Sequence, residues 1–282
     1  MAIKEVHGAP NLATLYPKAL LGGTKHGDKL PDTELVRKDV VVDPAQLAAY
    51  NEVCGFRLSD ELPATYPHIL AFGLQMQLMT EHEFPFPLLG MVHVANNITQ
   101  KRAIRLDETF TLKVYAENLR PHEKGRQFDV LSELSPSGAD DVVWRDVSTY
   151  LRRDESGTGS SGPREQLAAP TPNAIWRIPA DIGRRYAEVS GDRNPIHLHP
   201  LTARAFGFPS AIAHGMWTMA HALAAFEGRL PDAFTLDTRF KQPVLLPAKA
   251  AFTTWRTGDG WAFELWNARK PNPHLEGSIT AV

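Results

Sequence analysis

The feature that most constrains the fold of this chain is an internal repeat. The segment at 43–56 reads DPAQLAAYNEVCGF, and the segment at 178–192 reads IPADIGRRYAEVSGD. When Tyr50 is aligned with Tyr186, a glutamate, a valine and a glycine match as well, at a constant offset of 136 residues. Self-similarity of this kind indicates that one supersecondary unit occurs more than once. We therefore expect the 282 residues to contain two copies of one domain.

Each copy of the repeat predicts a short amphipathic helix that ends in a tight turn. A proline near the start, Pro44 in the first copy and Pro179 in the second, suits the first turn of a helix. The glycine after the last apolar position, Gly55 or Gly191, suits a left-handed C-terminal cap. The two copies are therefore predicted to share a helix and the turn that follows it.

A longer apolar segment follows each repeat, at 67–84 and at 213–228. Neither segment has a polar face, so both predict a central helix that is buried on most sides. Runs rich in β-branched and aromatic residues come after each of them and predict antiparallel strands, and Thr257–Gly260 predicts a hairpin turn. The predicted fold class is α+β, with an antiparallel sheet wrapped around a central buried helix in each of two tandem copies.

A stretch rich in Ser, Gly, Pro and charged residues separates the copies. We predict a linker at 156–173, because this stretch has no apolar periodicity. The predicted domains are residues 1–155 and residues 174–282.

Composition excludes several classes of protein. The net charge is −2 and no basic block occurs, so nucleic acid and anionic membranes are not expected partners. The first residues include Lys4 and Glu5 and do not resemble a signal peptide, and no stretch approaches the ~20 apolar residues of a membrane span. Cys54 is the only cysteine, which fits a reducing compartment. We expect a soluble, cytoplasmic protein.

The loop at 190–199, SGDRNPIHLH, is the main candidate for chemistry. It contains Asp192 and His197, whereas the aligned positions of the first copy hold Phe56 and Glu61. A residue that merely holds the turn should occur in both copies, so this mismatch favours a functional reading. A carboxylate and an imidazole on one loop can hold a water molecule and exchange its protons.

The segment from Tyr186 to His197, followed by Ile212-Ala-His-Gly-Met216, resembles the signature of the MaoC-like, hydratase-2 family. Members are (R)-specific enoyl-thioester hydratases and 3-hydroxyacyl-thioester dehydratases with a hot-dog fold, and some are double hot-dogs with one degenerate half. The resemblance implies a tandem double hot-dog acting in fatty-acid or related lipid metabolism, with the second half catalytic and the first supporting. It also implies that Asp192 and His197 activate water and that the N–H of Gly215 polarises the thioester carbonyl.

The chemistry needs no metal or organic cofactor. Coenzyme A or phosphopantetheine would enter as part of an acyl-CoA or acyl-carrier-protein substrate, which makes a carrier protein a candidate partner. A homodimer stays open, although a duplicated hot-dog already supplies the pairing that single domains obtain by dimerising.

Further candidates for substrate binding lie around the loop and the second apolar helix. The apolar ones either line an acyl tunnel or belong to the core, and the two cations either meet phosphates or lie on a solvated strand face. Asn194 is also expected to hydrogen-bond the loop backbone. The candidates are Asn194, Phe206, Phe208, Ile212, Met216, Trp217, Arg239 and Lys241.

The histidines near the loop are open to more than one interpretation. They could suggest zinc, but no cysteine or suitably spaced acidic residue accompanies them, so we expect no metal site. His214 either orients the turn before Gly215 or caps the helix, His221 is expected in the core, and the sequence does not explain His199.

Two other functions remain open at this point. A hot-dog acyl-thioester hydrolase would use the same helix N-terminus, although the loop pattern is not the one expected for it. A non-catalytic acyl-binding or assembly subunit would not need Asp192, His197 and Gly215 together.

Overall fold

The computed structural model describes residues 2–21, 27–88, 90–153 and 168–282. The helices in these ranges are α1 Leu12–Leu21, α2 Pro44–Cys54, α3 Tyr66–Thr80, α4 Ile182–Ser190, α5 Pro195–Leu198, α6 Pro200–Ala205 and α7 Gly215–Ala224. The strands are β1 Ala2–Glu5, β2 Thr33–Val41, β3 Met91–Gln100, β4 Thr109–His122, β5 Gly125–Pro136, β6 Trp144–Arg153, β7 Ala174–Ile178, β8 Phe234–Phe240, β9 Ala248–Thr257, β10 Gly260–Asn267 and β11 Pro273–Ala281.

The strands of both copies form one continuous sheet. Its order is β1-β2-β4-β5-β6-β3-β8-β11-β10-β9-β7, and the copies join where β3 pairs antiparallel with β8, from Ala95 opposite Arg239 to Gln100 opposite Phe234. Every other neighbouring pair is antiparallel except β1 with β2, which is parallel. Strands β1, β2 and β7 were not predicted, since the sequence analysis placed strands only after each buried helix.

The repeated helix and its turn are confirmed in both copies. Helices α2 and α4 end at Gly55, with φ of 86°, and at Gly191, with φ of 77°. These left-handed conformations favour glycine because a Cβ atom would be strained there. Pro44 occupies the first turn of α2 as predicted. Pro179 does not play that part, because it lies in the turn before α4, where its carbonyl accepts from the N–H of Ile182.

The two predicted central helices are present and shorter than expected. Nearly all of α3 and most of α7 are buried, which explains why neither sequence has a polar face. The predicted hairpin turn is also present, because Thr257 pairs with Gly260 between β9 and β10. The α+β duplicated architecture therefore follows from pattern alone.

The predicted linker falls only partly within the described chain. Strand β6 ends at Arg153 and β7 begins at Ala174, while 154–167 lie outside the described residues. At the end of the predicted linker, the N–H of Asn173 donates to the carbonyl of Phe252 in β9. The division into domains 1–155 and 174–282 stays a prediction. Across the described ranges, no helix has the length and apolarity needed to cross a membrane.

Candidate active site

The loop after α4 is built by consecutive local hydrogen bonds. Gly191 turns the chain out of α4, and the side chain of Asn194 then accepts from the N–H of Ile196 at 3.3 Å, capping α5 as expected. Pro195 begins α5, where its missing N–H costs nothing. His197 therefore lies on a single helical turn. The Asn194 cap and Pro195 fix where this turn begins. A contact of Asn194 with substrate stays a prediction.

Gly183 lets α4 pack directly against the backbone of this loop. A Cβ atom at Gly183 would lie 2.1 Å from the carbonyl oxygen of His197, far inside van der Waals contact. Gly183 was not predicted from the sequence. The repeat nevertheless contained a signal for it, because the aligned position of the first copy is Leu47. The glycine is thus specific to the copy that carries the loop.

The imidazole of His197 is held in one tautomer. Its Nδ1 lies 2.8 Å from the carbonyl oxygen of Ile212, and because a carbonyl only accepts, Nδ1 carries the proton. The neutral ring therefore has its lone pair on Nε2. Burial lowers the pKa of His197 below its ordinary value, so the ring is neutral at pH 7. Nε2 is thus a proton acceptor.

His214 stacks on His197 and holds the backbone of the loop. The ring centroids are 3.6 Å apart, and Nε2 of His214 donates to the carbonyl oxygen of Asp192 at 2.9 Å. Its side chain makes no capping hydrogen bond to α7. The structure therefore does not support side-chain capping, and it shows instead a contact that neither alternative included, with the backbone of the Asp192 loop.

The carboxylate of Asp192 is ionised and reachable by water. Burial acts to raise its pKa, but His214, His197 and hydrogen bonds from the N–H of Asn194 and the hydroxyl of Tyr16 outweigh burial and lower the pKa below its ordinary value. The side chain retains 29% exposure. Asp192 and His197 therefore present two acceptors at neutral pH, a carboxylate and an imidazole nitrogen.

The structure brings Asp192 and two of the histidines together in one cluster with side chains of the metal-ligating types. Ligand atoms of Asp192, His197 and His214 lie within 4.8 Å of one another. However, Nε2 of His214 donates to a carbonyl and Nδ1 of His197 does the same. That leaves the Asp192 carboxylate, Nε2 of His197 and Nδ1 of His214, which is buried without a hydrogen-bond partner, as available ligand atoms. The absence of a metal from this site therefore stays a prediction.

The N-terminus of α7 adjoins this pair. Helix α7 begins at Gly215, next to His214, and its first intrahelical bond runs from the N–H of Thr218 to the carbonyl of His214. The N–H groups before Thr218 therefore have no partner within the helix, and the helix dipole is positive there. A Cβ atom at Gly215 would press on the Phe240 ring at 3.1 Å. This helix end can bind a negatively charged oxygen.

The predicted apolar contacts occupy different environments. Phe206 is 41% exposed and Phe208 is half-buried, whereas Ile212 and Met216 are buried. Trp217 is also buried, and its indole N–H donates to the carbonyl of Val53 at 2.9 Å. Trp217 thus ties α7 to α2, as a core residue does. Its contact with an acyl chain, like those of the other four, stays a prediction.

The two predicted cations both lie near the carboxylate of one glutamate, Glu276. Nζ of Lys241 lies 2.6 Å from Glu276, and Nη1 of Arg239 lies 3.9 Å from the same carboxylate. Arg239 lines a surface depression of about 250 Å³ that also holds three carboxylates, those of Asp237, Glu264 and Glu276. This arrangement matches the solvated strand face weighed above, and phosphate binding stays a prediction.

Two histidines now have structural explanations. His199 caps α6, since its Nδ1 accepts from the N–H of Leu201 at 3.1 Å. His221 bonds the carbonyl of Cys54 through Nδ1 at 2.8 Å and stacks on Trp217. Neither ring belongs to the Asp192 cluster.

The first copy uses the equivalent helix end for a closed polar cluster. His68, which lies near the start of its buried helix as His214 does, bonds through Nδ1 to Asp146 at 2.5 Å. The other oxygen of Asp146 accepts from Asn96 at 2.5 Å, and both side chains are buried. In the first copy these polar side chains therefore hydrogen-bond one another, which fits a supporting role.

Burial of His214 predicts a specific loss of stability in acid. Its pKa is lowered to about 3, first by burial and then by His197, so between about pH 3 and the ordinary value near 6.5 the unfolded chain binds a proton that the folded protein does not. The free energy of unfolding should therefore fall as pH falls through this range, by up to about 1.4 kcal/mol per pH unit for this ring.

Denaturant unfolding of His214→Gln at several pH values tests this expectation. The variant should show a flatter dependence on pH between about 6.5 and 3, whereas His82→Gln, at an exposed position, should keep the slope of the unmodified protein. If the free energy of unfolding of His214→Gln depended on pH as steeply as that of the unmodified protein, the attribution of this dependence to His214 would be wrong.

Comparison with known proteins gives the family context of this geometry. Residues 163–277 match the family described as MaoC like domain. The chain is 42% identical over 259 residues to 3-hydroxyacyl-thioester dehydratase X of Mycobacterium tuberculosis, which covers 90% of this chain and 91% of the relative.

Solved structures agree with the sequence comparison. The crystal structure of HtdX from Mycobacterium tuberculosis superposes with a TM-score of 0.79 at 39% identity, covering 88% of this chain and all of that chain. A conserved hypothetical protein of the same organism, described as having a double hotdog fold, superposes with a TM-score of 0.54 at 11% identity, over 88% of this chain and 95% of its own. The predicted double hot-dog fold is confirmed.

Proposed function

Because this chain belongs to the MaoC-like family of hydratases and dehydratases, we propose that it interconverts trans-2-enoyl thioesters and (3R)-3-hydroxyacyl thioesters by adding and removing water. The chain is thus a hydro-lyase, acting in fatty-acid or related lipid metabolism. The observation that carries its mechanism is the fixed tautomer of His197, which leaves Nε2 as a base beside the Asp192 carboxylate.

In the hydration direction, one water molecule lies between the two acceptors. The Asp192 carboxylate holds one of its hydrogens, and the other proton moves to Nε2 of His197 as the water oxygen bonds to C3 of the substrate. The electrons of the double bond move to the thioester oxygen and form an enolate. C2 then takes the proton from His197, which returns to its neutral form. Proton transfer by a positioned side chain contributes on the order of 10²–10⁴-fold.

The enolate oxygen is stabilised by the free N–H of Gly215. This donor lies at the positive end of α7, and the absence of a side chain lets the thioester approach closely. One preorganised donor of this kind is worth about 3–4 kcal/mol in the transition state. Dehydration follows the same steps in reverse, with the C2 proton removed by His197.

The substrate thiol and the location of the protein are also part of this proposal. We expect the acyl group to arrive on coenzyme A or on the phosphopantetheine of a carrier protein, without a further cofactor, in the cytoplasm. The two alternative functions place different requirements on the site. A hydrolase needs water directed at the thioester carbon, whereas an acyl-binding subunit needs neither the ionised Asp192 nor the unprotonated Nε2 of His197.

Mixing the protein with crotonyl-CoA and with longer enoyl-CoA substrates tests the proposal. We expect loss of the enoyl-thioester absorbance and formation of the (R)-3-hydroxyacyl product on chiral analysis. Release of free thiol at the same rate would favour the hydrolase. Binding without turnover at every chain length would favour the acyl-binding subunit.

A further inference from the structure

Tyr16 reaches the catalytic loop from a distant part of the chain. It lies on α1, 176 residues before Asp192 in sequence, and its hydroxyl is 3.1 Å from Oδ1 of Asp192. The same hydroxyl is 3.1 Å from the carbonyl oxygen of Gly191 and accepts from the N–H of Arg193 at 2.5 Å. One hydroxyl therefore contacts three consecutive residues of the loop.

Helix α1 packs against the central helix of the first copy, and this packing holds the hydroxyl in place. Leu12, Leu15 and Tyr16 pack against Phe72 and Met76 of α3, in a small cluster separate from the main core. Leu12 also touches the loop, since a Cβ atom at Gly191 would lie 2.5 Å from its Cδ1. One face of α1 thus contacts both the central helix of the first copy and the loop of the second.

We propose that Tyr16 is a positioning residue for Asp192. Its hydroxyl holds Oδ1 and the backbone on either side of the carboxylate, so that Oδ2 stays turned toward the water held with His197. This role rests on the proposed function, since it concerns the same carboxylate. It makes α1, a segment that precedes both copies of the repeat, part of the active-site architecture.

The hydrogen bond from Tyr16 also favours the ionised carboxylate, because a hydroxyl donates more strongly to a charged acceptor. Tyr16 is one of the causes that lower the pKa of Asp192. The other titratable groups that interact with the carboxylate, from α4, α5, the residue before α7, β3 and β6, are Tyr186, His197, His214, His93 and Tyr150. The charge of Arg193, on the same loop, acts on the Tyr16 hydroxyl. These groups stay in place in Tyr16→Phe, so a change in the pKa of Asp192 reports the loss of the Tyr16 hydroxyl.

Loss of the Tyr16 hydroxyl is expected to raise the pKa of Asp192. Without the donated hydrogen bond the carboxylate holds its proton more tightly, so the pKa of Asp192 rises. The acid limb of the kcat/KM profile should then move to higher pH, by about one unit for the loss of one charge-assisted hydrogen bond. We also expect kcat at neutral pH to fall about 10-fold, since the loop is less well ordered.

The experiment compares Tyr16→Phe with the unmodified protein and with Tyr115→Phe. The control removes a hydroxyl that donates to Glu133 on the sheet, and its profile should not change. In parallel, carboxyl NMR of protein labelled with carbon-13 aspartate follows the titration of Asp192, assigned with Asp192→Asn. An acid limb that moves to higher pH, together with a higher pKa of Asp192 in the NMR titration, supports the proposal.

Two results would overturn the positioning role. One is an unchanged profile and titration in Tyr16→Phe. The other is a lower kcat with an unchanged acid limb, which is what a purely structural role predicts. Absence of turnover in the unmodified protein would instead refute the proposed function, and the NMR titration would still decide the role of Tyr16.

Discussion

Replacement of Asp192 by asparagine is expected to lower the rate of enoyl-thioester hydration by at least about 10²-fold, with the fold intact. The amide keeps the shape of the side chain, and its oxygen still accepts from the N–H of Asn194. It has no charge, however, to hold the attacking water or to stabilise the protonated His197. Steady-state kinetics on a short enoyl-CoA measures the loss, and circular dichroism checks the fold.

His197→Ala should cause a loss of similar size, because Nε2 of His197 takes the proton from water. The two groups act on one water molecule, so the double variant should lose little more than the worse single variant. Glu61→Gln is the matched control, since Glu61 aligns with His197 in the first copy and is exposed. Near-full activity of either single variant, or losses that multiply in the double variant, would contradict the assignment.

Gly183→Ala is the second change for which we expect a large effect. The added methyl would lie 2.1 Å from the carbonyl oxygen of His197, and because backbone cannot rotate away as a side chain can, α4 and α5 must separate. A displacement of about 1 Å at a catalytic group can cost on the order of 10²-fold in rate. We expect a loss of that order in kcat, measured in the same assay.

The effect of Gly183→Ala on stability should be smaller than its effect on rate. Overpacking costs about 1–3 kcal/mol, and alanine returns up to about 1 kcal/mol through its higher helix propensity. Gly258→Ala serves as the control, because nothing lies within 4 Å of its added Cβ atom. Unchanged kcat in Gly183→Ala would show that α4 does not fix the position of His197.

The fold was predictable wherever it depends on local pattern. The repeat at Tyr50 and Tyr186 gave α2 and α4 with their glycine caps, and the absence of a polar face gave the buried helices α3 and α7. Strand β7 was missed because it directly follows the polar stretch taken as a linker. The single continuous sheet depends on the pairing of β3 with β8, a long-range contact that local periodicity does not encode.

The site was predictable in part for the same reason. Asp192 and His197 lie on one loop, so the mismatch with the first copy pointed to them together. Gly183 was within reach of the same comparison, since the first copy holds Leu47 there. Tyr16 was not, because α1 has no counterpart in the repeat and meets the loop only through tertiary packing.

Hydration in water enriched in oxygen-18 tests the central claim most directly, that the second copy adds water across the enoyl double bond. Mass spectrometry of the product locates the label. We predict an intact thioester with one oxygen-18 atom at the C3 hydroxyl, and loss of this product at matched times with Asp192→Asn. Label found in a free carboxylate, together with released thiol, would contradict the account.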